Sequence, residues 1–371
     1  MKTICVLITN RTNYSKIKPI LFNLSLSNKV KINIVLCSSA IISKYGNLIE
    51  LIQNDGFQVS FKIDSLLMND GHASMAISSG ISMVQHATFY QNNQIDAILT
   101  VGDRFDMLTP VLAAKYMNIP IFHLQGGERS GSIDDTIRNL ISLCSDYHFV
   151  ATEKSLYNLI NLGIKKENIF NFGCTAVEYL INNLNNFKNN SEIILSSGKV
   201  INLDSIGEYL VVLIHPNTTC DDLNIDLVFK AIDRFNYKVF LFYPNVDASN
   251  SVILSSMQRK LNDNNYFVIK NLKLDDFGLL LSKTICFVGN SSSGIRESAS
   301  FKIPFVNIGS RQNFREQNTN TINCTTEESS IFKAIKKAIS FKDRLVGDNV
   351  YYKKDSSKLV SKRIISLIYE K

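Results

Sequence analysis

The residues best suited to chemistry lie between Val101 and Arg138, where the sequence reads VGDRFD, then HLQGGERSG, then IDDTIR. Asp103 and Arg104 follow one short apolar run, and a Gly-Gly-Glu turn follows the next. If both runs are parallel strands, their carboxyl ends place these side chains at one edge of a sheet. The segment therefore predicts a polar site that combines carboxylates with a guanidinium.

Each acid in this segment also has a structural interpretation. An aspartate beside an arginine, as at Asp103 and Arg104, is equally typical of an ion pair without a catalytic role. Asp134 and Asp135 stand where a helix is predicted to begin, and acids at that position cap the helix or stabilise its dipole. We therefore expect one of these two aspartates to be only a cap.

A second group of polar residues lies in the other half of the chain. His215 ends an apolar run in LIHPNTT, where a histidine more often belongs to a site than to a core. In VGNSSSGIRES, Ser291 and Ser292 stand at a helix start that suits a diphosphate, and Glu297 could accept hydrogen bonds from ribose hydroxyls. Arg311 follows the next run. The alternative for the serines is an ordinary helix cap.

The sequence NRTNYSK near the amino terminus offers a third anion site. Arg11 and the following helix start could receive phosphate oxygens. The alternative is an ordinary cap by Asn13 or Ser15, with Arg11 in solvent. From this segment alone, the cap is the favoured interpretation.

Short apolar runs alternate with helix-period segments along the chain, which predicts βαβ units and parallel sheets. The expected strands of the first half are Thr3 to Thr9, Lys31 to Cys37, Phe57 to Ile63, Asp96 to Val101, Ile119 to Leu124 and Tyr147 to Val150. Those of the second half are Tyr209 to Ile214, Lys238 to Tyr243, Tyr266 to Ile269, Thr284 to Val288 and Pro304 to Asn307.

The length of 371 residues also favours two domains. We predict an α/β fold of two Rossmann-like domains, residues 1–173 and 174–355, whose parallel sheets face a central cleft. The polar stretch from Asn182 to Lys199 is the candidate interdomain region, and a last helix at about 356–369 is expected to pack back on the first domain.

Composition and missing motifs exclude several classes of protein. No apolar run approaches a membrane span, no cleavable leader is recognisable, and the seven scattered cysteines suit free thiols, so we expect a cytoplasmic protein without membrane or nucleic-acid partners. The net charge of +7 is modest. There is no GxGxxG after the first strand, Ile295 replaces the lysine of a phosphate loop, and no HExxH exists. We expect no cofactor and no metal.

Six motifs in this order resemble the hydrolysing UDP-N-acetylglucosamine 2-epimerase family: RTNYSK, VGDRFD, HLQGGERSGSIDDTIR, FYPNVDAS, GNSSSGIRES and FVNIGSRQ. That family makes N-acetylmannosamine for sialic acid biosynthesis. The resemblance, over about residues 3 to 325, implies the glycosyltransferase B-type fold, a UDP-sugar in the interdomain cleft, no redox cofactor and a homodimer or homotetramer.

The resemblance also implies roles for individual residues. Asp103 and Asp134 match catalytic carboxylates, and Glu128 is a reserve carboxylate. Arg104 and His215 are expected near the diphosphate, with His215 counted among the catalytic residues. Gln125 stands where animal-type members carry a carboxylate, and an amide cannot act as a general base. Asn13 replaces an aspartate of some relatives. The expected substrate-binding residues are Arg11, Ser15, Arg104, Gln125, Asn245, Ser291, Ser292, Glu297 and Arg311.

The predicted reaction is an elimination followed by a hydration. A carboxylate removes the C2 proton while UDP leaves C1, and water then adds to the acetamidoglucal with reprotonation from the opposite face. Three alternatives stay open: the same chemistry on a 2,4-diacetamido or GDP-linked sugar, a glycosyltransferase, and a nucleotide-sugar binder without activity.

Overall fold

The computed structural model describes residues 1–67, 71–195, 198–217, 223–247, 249–270, 272–341, 345 and 347–370. Its strands are β1 Lys2–Ile8, β2 Val30–Cys37, β3 Val59–Ile63, β4 Ala97–Val101, β5 Ile121–Leu124, β6 Tyr147–Val150, β7 Ile169–Asn171, β8 Glu192–Ile194, β9 Val200–Asn202, β10 Tyr209–Leu213, β11 Lys238–Phe242, β12 Tyr266–Ile269, β13 Cys286–Gly289, β14 Phe305–Ile308 and β15 Thr321–Cys324.

The α-helices alternate with these strands. They are α1 Arg11–Ser25, α2 Leu48–Asn54, α3 His72–Gln91, α4 Phe105–Tyr116, α5 Asp134–Cys144, α6 Glu153–Asn161, α7 Thr175–Asn182, α8 Leu184–Asn189, α9 Ile225–Asp233, α10 Asn250–Gln258, α11 Leu274–Lys283, α12 Ser292–Arg296, α13 Glu328–Phe341 and α14 Ser356–Glu370.

Two parallel sheets organise the molecule. The first has the order β3-β2-β1-β4-β5-β6-β7 and the second the order β12-β11-β10-β13-β14-β15. In each sheet the strand order reverses beside its first strand, between β1 and β4 and between β10 and β13. Ligands of such sheets bind at the carboxyl ends of the strands, at the point where the order reverses.

Both sheets are covered by helices on two faces, which explains their nearly continuous apolar strands. Along β1, Ile4, Val6 and Ile8 pack in the core on one face, whereas Cys5 and Leu7 pack in the core on the other. Strand β10, with the sequence YLVVL, is divided between two cores in the same way. The predicted α/β architecture with two parallel sheets is therefore confirmed.

The eleven strands that the sequence predicted are all present, with ends that differ by at most two residues. Prediction missed β7 and β15, which are short edge strands, and the antiparallel pair β8 and β9. The polar stretch from Asn182 to Lys199 is not an extended linker, because it contains α8 and β8 and buries Phe187 and Ile193 in the core of the second sheet. The division at residue 173 stays a prediction.

The last helix returns to the first sheet. In α14, Val360 and Ile364 share a buried core with Ile17 and Ile20 of α1, and the Ser361 hydroxyl donates to the Ile20 carbonyl at 3.2 Å. The carboxyl-terminal segment therefore ties the second half of the chain to the first.

Some expectations concern residues without a structural description. Cys220 and Ala248 of the FYPNVDAS motif lie outside the described residues. The six cysteines that are described have free thiols. Within the described ranges, no helix has the length and apolar character needed to cross a bilayer.

Candidate active site

A cleft lies between the carboxyl ends of the two sheets and has a volume of about 1130 Å³, including the space open to solvent. Eleven of the thirteen residues predicted for the site line it: Arg11, Ser15, Asp103, Arg104, Asp134, His215, Asn245, Ser291, Ser292, Glu297 and Arg311. Gln125 and Glu128 do not. The cleft therefore brings together residues that the sequence separates by up to 300 positions.

Helix α1 brings the first of these residues to the cleft. Its cap is Asn10, whose side chain accepts from the Asn13 amide at 3.0 Å, so the expected cap by Asn13 or Ser15 is wrong. Asn13 instead accepts from the Thr9 hydroxyl at 2.8 Å and is buried. Arg11 reaches across the cleft and donates to the Lys270 carbonyl at 2.8 Å.

Asp103 follows β4 through Gly102, whose φ of +92° is a left-handed conformation that glycine adopts readily. The Asp103 carboxylate forms an ion pair with the fully buried Arg138, and Arg315 lies 3.9 Å away. Burial alone would raise the pKa of Asp103, but Arg138, Arg315 and Lys16 outweigh it and hold the pKa below the ordinary value. Asp103 is therefore an ionised carboxylate.

Asp134 has the opposite environment. It is the first residue of α5 and lies 3.5 Å from Arg311 of the other half of the chain. Burial, with the neighbouring negative charge of Asp103, raises the pKa of Asp134 to about 6. One cleft thus holds one carboxylate that is readily ionised and one that keeps its proton to higher pH.

Asp135 does not cap α5, because the N-cap residue is Ile133 and it has no side-chain capping hydrogen bond, so the cap predicted for one of the two neighbouring aspartates is wrong. Its carboxylate accepts from the amides of Ser130 and Gly131 at 2.7 and 2.8 Å and from Arg138 at 2.5 Å. Asp135 therefore holds the loop before α5 in place, while Asp134 faces the cleft.

Arg104 is buried at the base of the cleft between two carboxylates. It donates to Asp247 of the other half at 2.7 Å, and its Nε lies 3.4 Å from Asp106. Although burial opposes the charge, Asp106 and Asp247 keep the pKa of Arg104 above the ordinary value. Arg104 is thus a fixed cation that also joins the two halves.

His215 follows β10 and presents a neutral ring. Its Nδ1 accepts from the Asn245 amide at 3.1 Å, which assigns the ring proton to Nε2. Burial, together with the charges of Arg311, Arg104 and Arg11, holds the pKa of His215 well below its ordinary value. The ring is therefore a hydrogen-bond donor at neutral pH.

Ser291, Ser292 and Glu297 occupy the wall formed after β13. Ser291 caps α12 by accepting from the Ser293 amide at 3.3 Å. Within the described chain, Oε2 of Glu297 is buried and has no hydrogen-bond partner. A buried acceptor of this kind gains from a ligand hydroxyl, which fits the ribose contact predicted for Glu297.

Gln125 and Glu128 lie behind this wall. Gln125, at a φ of +64°, accepts from Arg296 at 2.5 Å and donates to the Cys174 sulfur at 3.3 Å. Glu128 is buried in ion pairs with Arg296, at 3.2 Å, and with Arg315. Neither side chain lines the cleft, contrary to the expectation that both face the substrate, and each instead contacts an arginine that does line it.

Four further cations belong to the site, although the sequence predicted no role for them: Lys16, Arg138, Arg296 and Arg315. Lys16 lines the cleft one turn after Thr12, and burial, reinforced by Arg296, lowers its pKa to about 7. The spacing of four residues on one helix face was the available signal. The three arginines lie inside helical or loop patterns that resemble solvated surface, so only the fold shows that they are buried.

The cleft therefore contains two carboxylates with different pKa values, together with a set of cations and a neutral imidazole. This arrangement suits proton transfer beside a departing anion. Among the described residues, no three His, Cys, Asp or Glu side chains are grouped as a metal site requires.

Comparison with known proteins identifies a family of similar sequences. Residues 24–368 match the family model described as UDP-N-acetylglucosamine 2-epimerase. The chain is 31% identical over 344 residues to the UDP-N,N'-diacetylbacillosamine 2-epimerase (hydrolyzing) of Legionella pneumophila, covering 92% of this chain and 89% of that protein. It is 27% identical to the polysialic acid biosynthesis protein P7 of Escherichia coli, covering 90% and 85%.

Solved structures show the same fold. The UDP-GlcNAc 2-epimerase of Methanocaldococcus jannaschii, in complex with UDP-GlcNAc and UDP, superposes with a TM-score of 0.79 at 18% identity and covers 99% of this chain and 100% of that chain. The Neisseria meningitidis enzyme bound to UDP-GlcNAc gives 0.76 at 15% identity, with coverage of 99% and 100%.

Proposed function

The chain belongs to the UDP-N-acetylglucosamine 2-epimerase family, and we propose that it is the hydrolysing enzyme that converts UDP-N-acetylglucosamine and water into N-acetylmannosamine and UDP for sialic acid biosynthesis. The observation that carries the proposal is the pair Asp103 and Asp134. Both line the cleft, and their pKa values are shifted in opposite directions. Epimerisation through an elimination requires one group that accepts a proton and one that donates it.

Asp103 is the base in the first step. It takes the proton from C2 of the sugar, the electron pair of that bond forms the C1–C2 double bond, and the C1–O bond breaks with UDP retaining its electrons. Arg138 and Arg315 keep Asp103 ionised before the step. The product of the elimination is an acetamidoglucal.

Asp134 is the acid in the second step. It returns a proton to C2 from the opposite face while water adds at C1, and the proton lost by water restores Asp134. Asp103 releases its proton to solvent. Atoms and charge balance, with UDP and the 2-epimeric free sugar as products.

The cations of the cleft stabilise the departing diphosphate. Arg11, Arg104 and Arg311 line it, and the Nε2–H of His215 adds a neutral donor. Positive charge already in place at the developing anion lowers the barrier without reorganisation. Lys16 lies on the carboxylate side of the same cleft.

A second candidate substrate is a UDP- or GDP-linked 2,4-diacetamido sugar. Two relatives favour it, because the Legionella pneumophila protein at 31% identity and a Campylobacter jejuni protein at 28% identity are both named for N,N'-diacetylbacillosamine. The proposed proton transfers involve C2 and C1, so they are the same for both sugars.

A panel of nucleotide sugars tests the proposal. The purified protein is incubated with UDP-N-acetylglucosamine, UDP-N,N'-diacetylbacillosamine and its GDP analogue, and released sugar and nucleotide are measured. We expect N-acetylmannosamine and UDP from the first. Release only from a diacetamido donor selects the second candidate, and no release from any donor contradicts both.

A further inference from the structure

We propose that Asn290, which does not line the cleft, is a positioning residue that fixes the neutral His215 and the cationic Arg311 relative to each other. This inference rests on the proposed function, since it assigns to both side chains the departing diphosphate. Asn290 directly follows β13 and is 1% exposed. It therefore cannot touch the substrate and acts through its neighbours.

The side chain of Asn290 extends the pairing between β10 and β13. The paired strands end at Leu213 and Gly289. Beyond that point, Oδ1 of Asn290 accepts from the His215 amide at 2.7 Å, and Nδ2 donates to the His215 carbonyl at 2.9 Å. A primary amide is the side-chain group that offers one acceptor and a neighbouring donor for such a double contact.

The backbone of Asn290 holds the other partner. Its carbonyl accepts from Nη1 of Arg311 at 3.0 Å and from Nε2 of Gln312 at 3.1 Å. The same residue thus contacts the loop after β10 through its side chain and the loop after β14 through its backbone. A shift of Asn290 would move the histidine and the arginine out of their common geometry.

The backbone position of His215 also determines its tautomer. Nδ1 accepts from the Asn245 amide at 3.1 Å only while the ring keeps its present place. If the two contacts from Asn290 are lost, the 215–217 loop gains freedom and the ring loses the contact that keeps the proton on Nε2. We infer that Asn290 maintains the donor state of His215 in addition to its position.

A variant of a second buried asparagine distinguishes a positioning role of Asn290 from a purely structural one. Asn320 is also buried, and its Nδ2 donates to the Ser298 hydroxyl at 2.8 Å and to the Ile303 carbonyl at 2.6 Å, away from the cleft lining. Asn320→Ala therefore removes a comparable amide from the same half of the molecule without a contact to His215.

The test compares wild type, Asn290→Ala, Asn290→Asp and Asn320→Ala. Turnover and KM are measured with UDP-N-acetylglucosamine, and ¹⁵N spectra report the tautomer of His215, assigned with His215→Asn. We expect kcat to fall by about 10-fold to 100-fold in Asn290→Ala, and by less in Asn290→Asp, which keeps the acceptor. The His215 signals should lose the pure Nε2–H pattern in Asn290→Ala, lose it in part in Asn290→Asp, which lacks the donor to the His215 carbonyl, and keep it in Asn320→Ala.

The outcomes separate the inference from the proposed function. Wild-type kcat and an unchanged His215 spectrum in Asn290→Ala overturn the inference, as does an equal loss in Asn320→Ala. If Asn290→Ala does not fold, Asn290→Asp decides through the same two readouts. If the wild type releases no sugar, the proposed function fails, whereas the His215 spectra still decide whether Asn290 sets the tautomer.

Discussion

Arg138 holds Asp103 at the edge of the cleft through an ion pair whose guanidinium is fully buried. The same guanidinium donates to Asp135 and to the Glu128 carbonyl, each at 2.5 Å. Three acceptors around one cation fix its orientation, so the carboxylate that it pairs with is fixed as well. The proposed base thus depends on a residue that has no access to the substrate.

Replacement of Arg138 by lysine should therefore affect the base without removing the charge. Arg138→Lys loses the guanidinium that contacts Asp103 through Nη2 while Nη1 contacts Asp135 and the Glu128 carbonyl, so the pKa of Asp103 should rise and the acidic limb of the kcat/KM profile should move to higher pH. We expect kcat to fall by about 10-fold or more. Both effects are measured by steady-state kinetics between about pH 4 and 8, a range that covers the ordinary pKa values of carboxylates and histidine.

Arg259→Lys is the matched control, because Arg259 pairs with Asp226 in an exposed ion pair and neither residue lines the cleft. Its pH profile should coincide with that of the wild type. An Arg138→Lys profile that also coincides would show that the buried pair does not set the proton affinity of the base.

The raised pKa of Asp134 predicts the basic limb of the reaction. Because burial and Asp103 raise this pKa to about 6, the proton needed by an acid is present below that pH and is lost as the pH rises through it. Ionised Asp134 also competes with the diphosphate for Arg311, 3.5 Å away. We expect kcat/KM, which reports the free enzyme, to decline above about pH 6.

Asp134→Asn tests this assignment. The variant should be slower by about 10²-fold to 10⁴-fold, and its residual kcat/KM should lack the decline near pH 6. A decline of unchanged position in Asp134→Asn would assign that limb to another group.

Glu128 and Asp103 should respond differently to amide substitution. Asp103→Asn removes the proposed base from the cleft and should lower kcat by about 10²-fold to 10⁴-fold while nucleotide binding persists. Glu128→Gln removes a buried carboxylate held by Arg296 and Arg315. Thermal stability should fall, because two buried arginines lose their charged partner. Because Glu128 does not line the cleft, kcat should change by less than about 10-fold.

Turnover and melting temperature of the two variants check this distinction. A Glu128→Gln protein that is as stable as the wild type but as inactive as Asp103→Asn would restore Glu128 as a catalytic carboxylate.

Gln125 should tolerate a carboxylate. Its Oε1 accepts from Arg296, so Gln125→Glu creates an ion pair at the same place and leaves the cleft lining unchanged. We expect kcat within about 3-fold of wild type, because a side chain remote from the reacting atoms has no transition-state contact to lose. Gln125→Ala should instead lower stability by about 1–3 kcal/mol, since Arg296 loses a buried acceptor. Kinetics and denaturant unfolding of both variants measure these effects, and a large rise of kcat in Gln125→Glu would contradict this placement.

Much of this site could be predicted because its residues follow strands. Asp103, His215 and Ser291 come directly after apolar runs, and parallel strands bring such positions to one edge regardless of the helices between them. The missed cations had no such marker. Arg138 lies within α5 and Arg315 in the loop after β14, and only the packing of one half against the other shows that their charges are buried.

The same packing of the two halves shows which way the side chains of Gln125 and Glu128 point. Their position after β5 resembles that of the residues after β4, so sequence alone placed them at the cleft. In the structure, these two side chains contact Arg296 and Arg315 of the second half, and the arginines rather than the two side chains line the cleft. The edge strands β7 and β15 were missed because short, half-buried strands carry little alternation.

The central claim is that the reaction breaks and remakes the C2–H bond of the sugar. The direct measurement is to run the reaction with UDP-N-acetylglucosamine in D₂O and to examine the released sugar by NMR and mass spectrometry. We expect free N-acetylmannosamine with one deuterium at C2, together with UDP and without any added acceptor. Release of a sugar that keeps its C2 proton, or of N-acetylglucosamine with unchanged configuration, would contradict the mechanism.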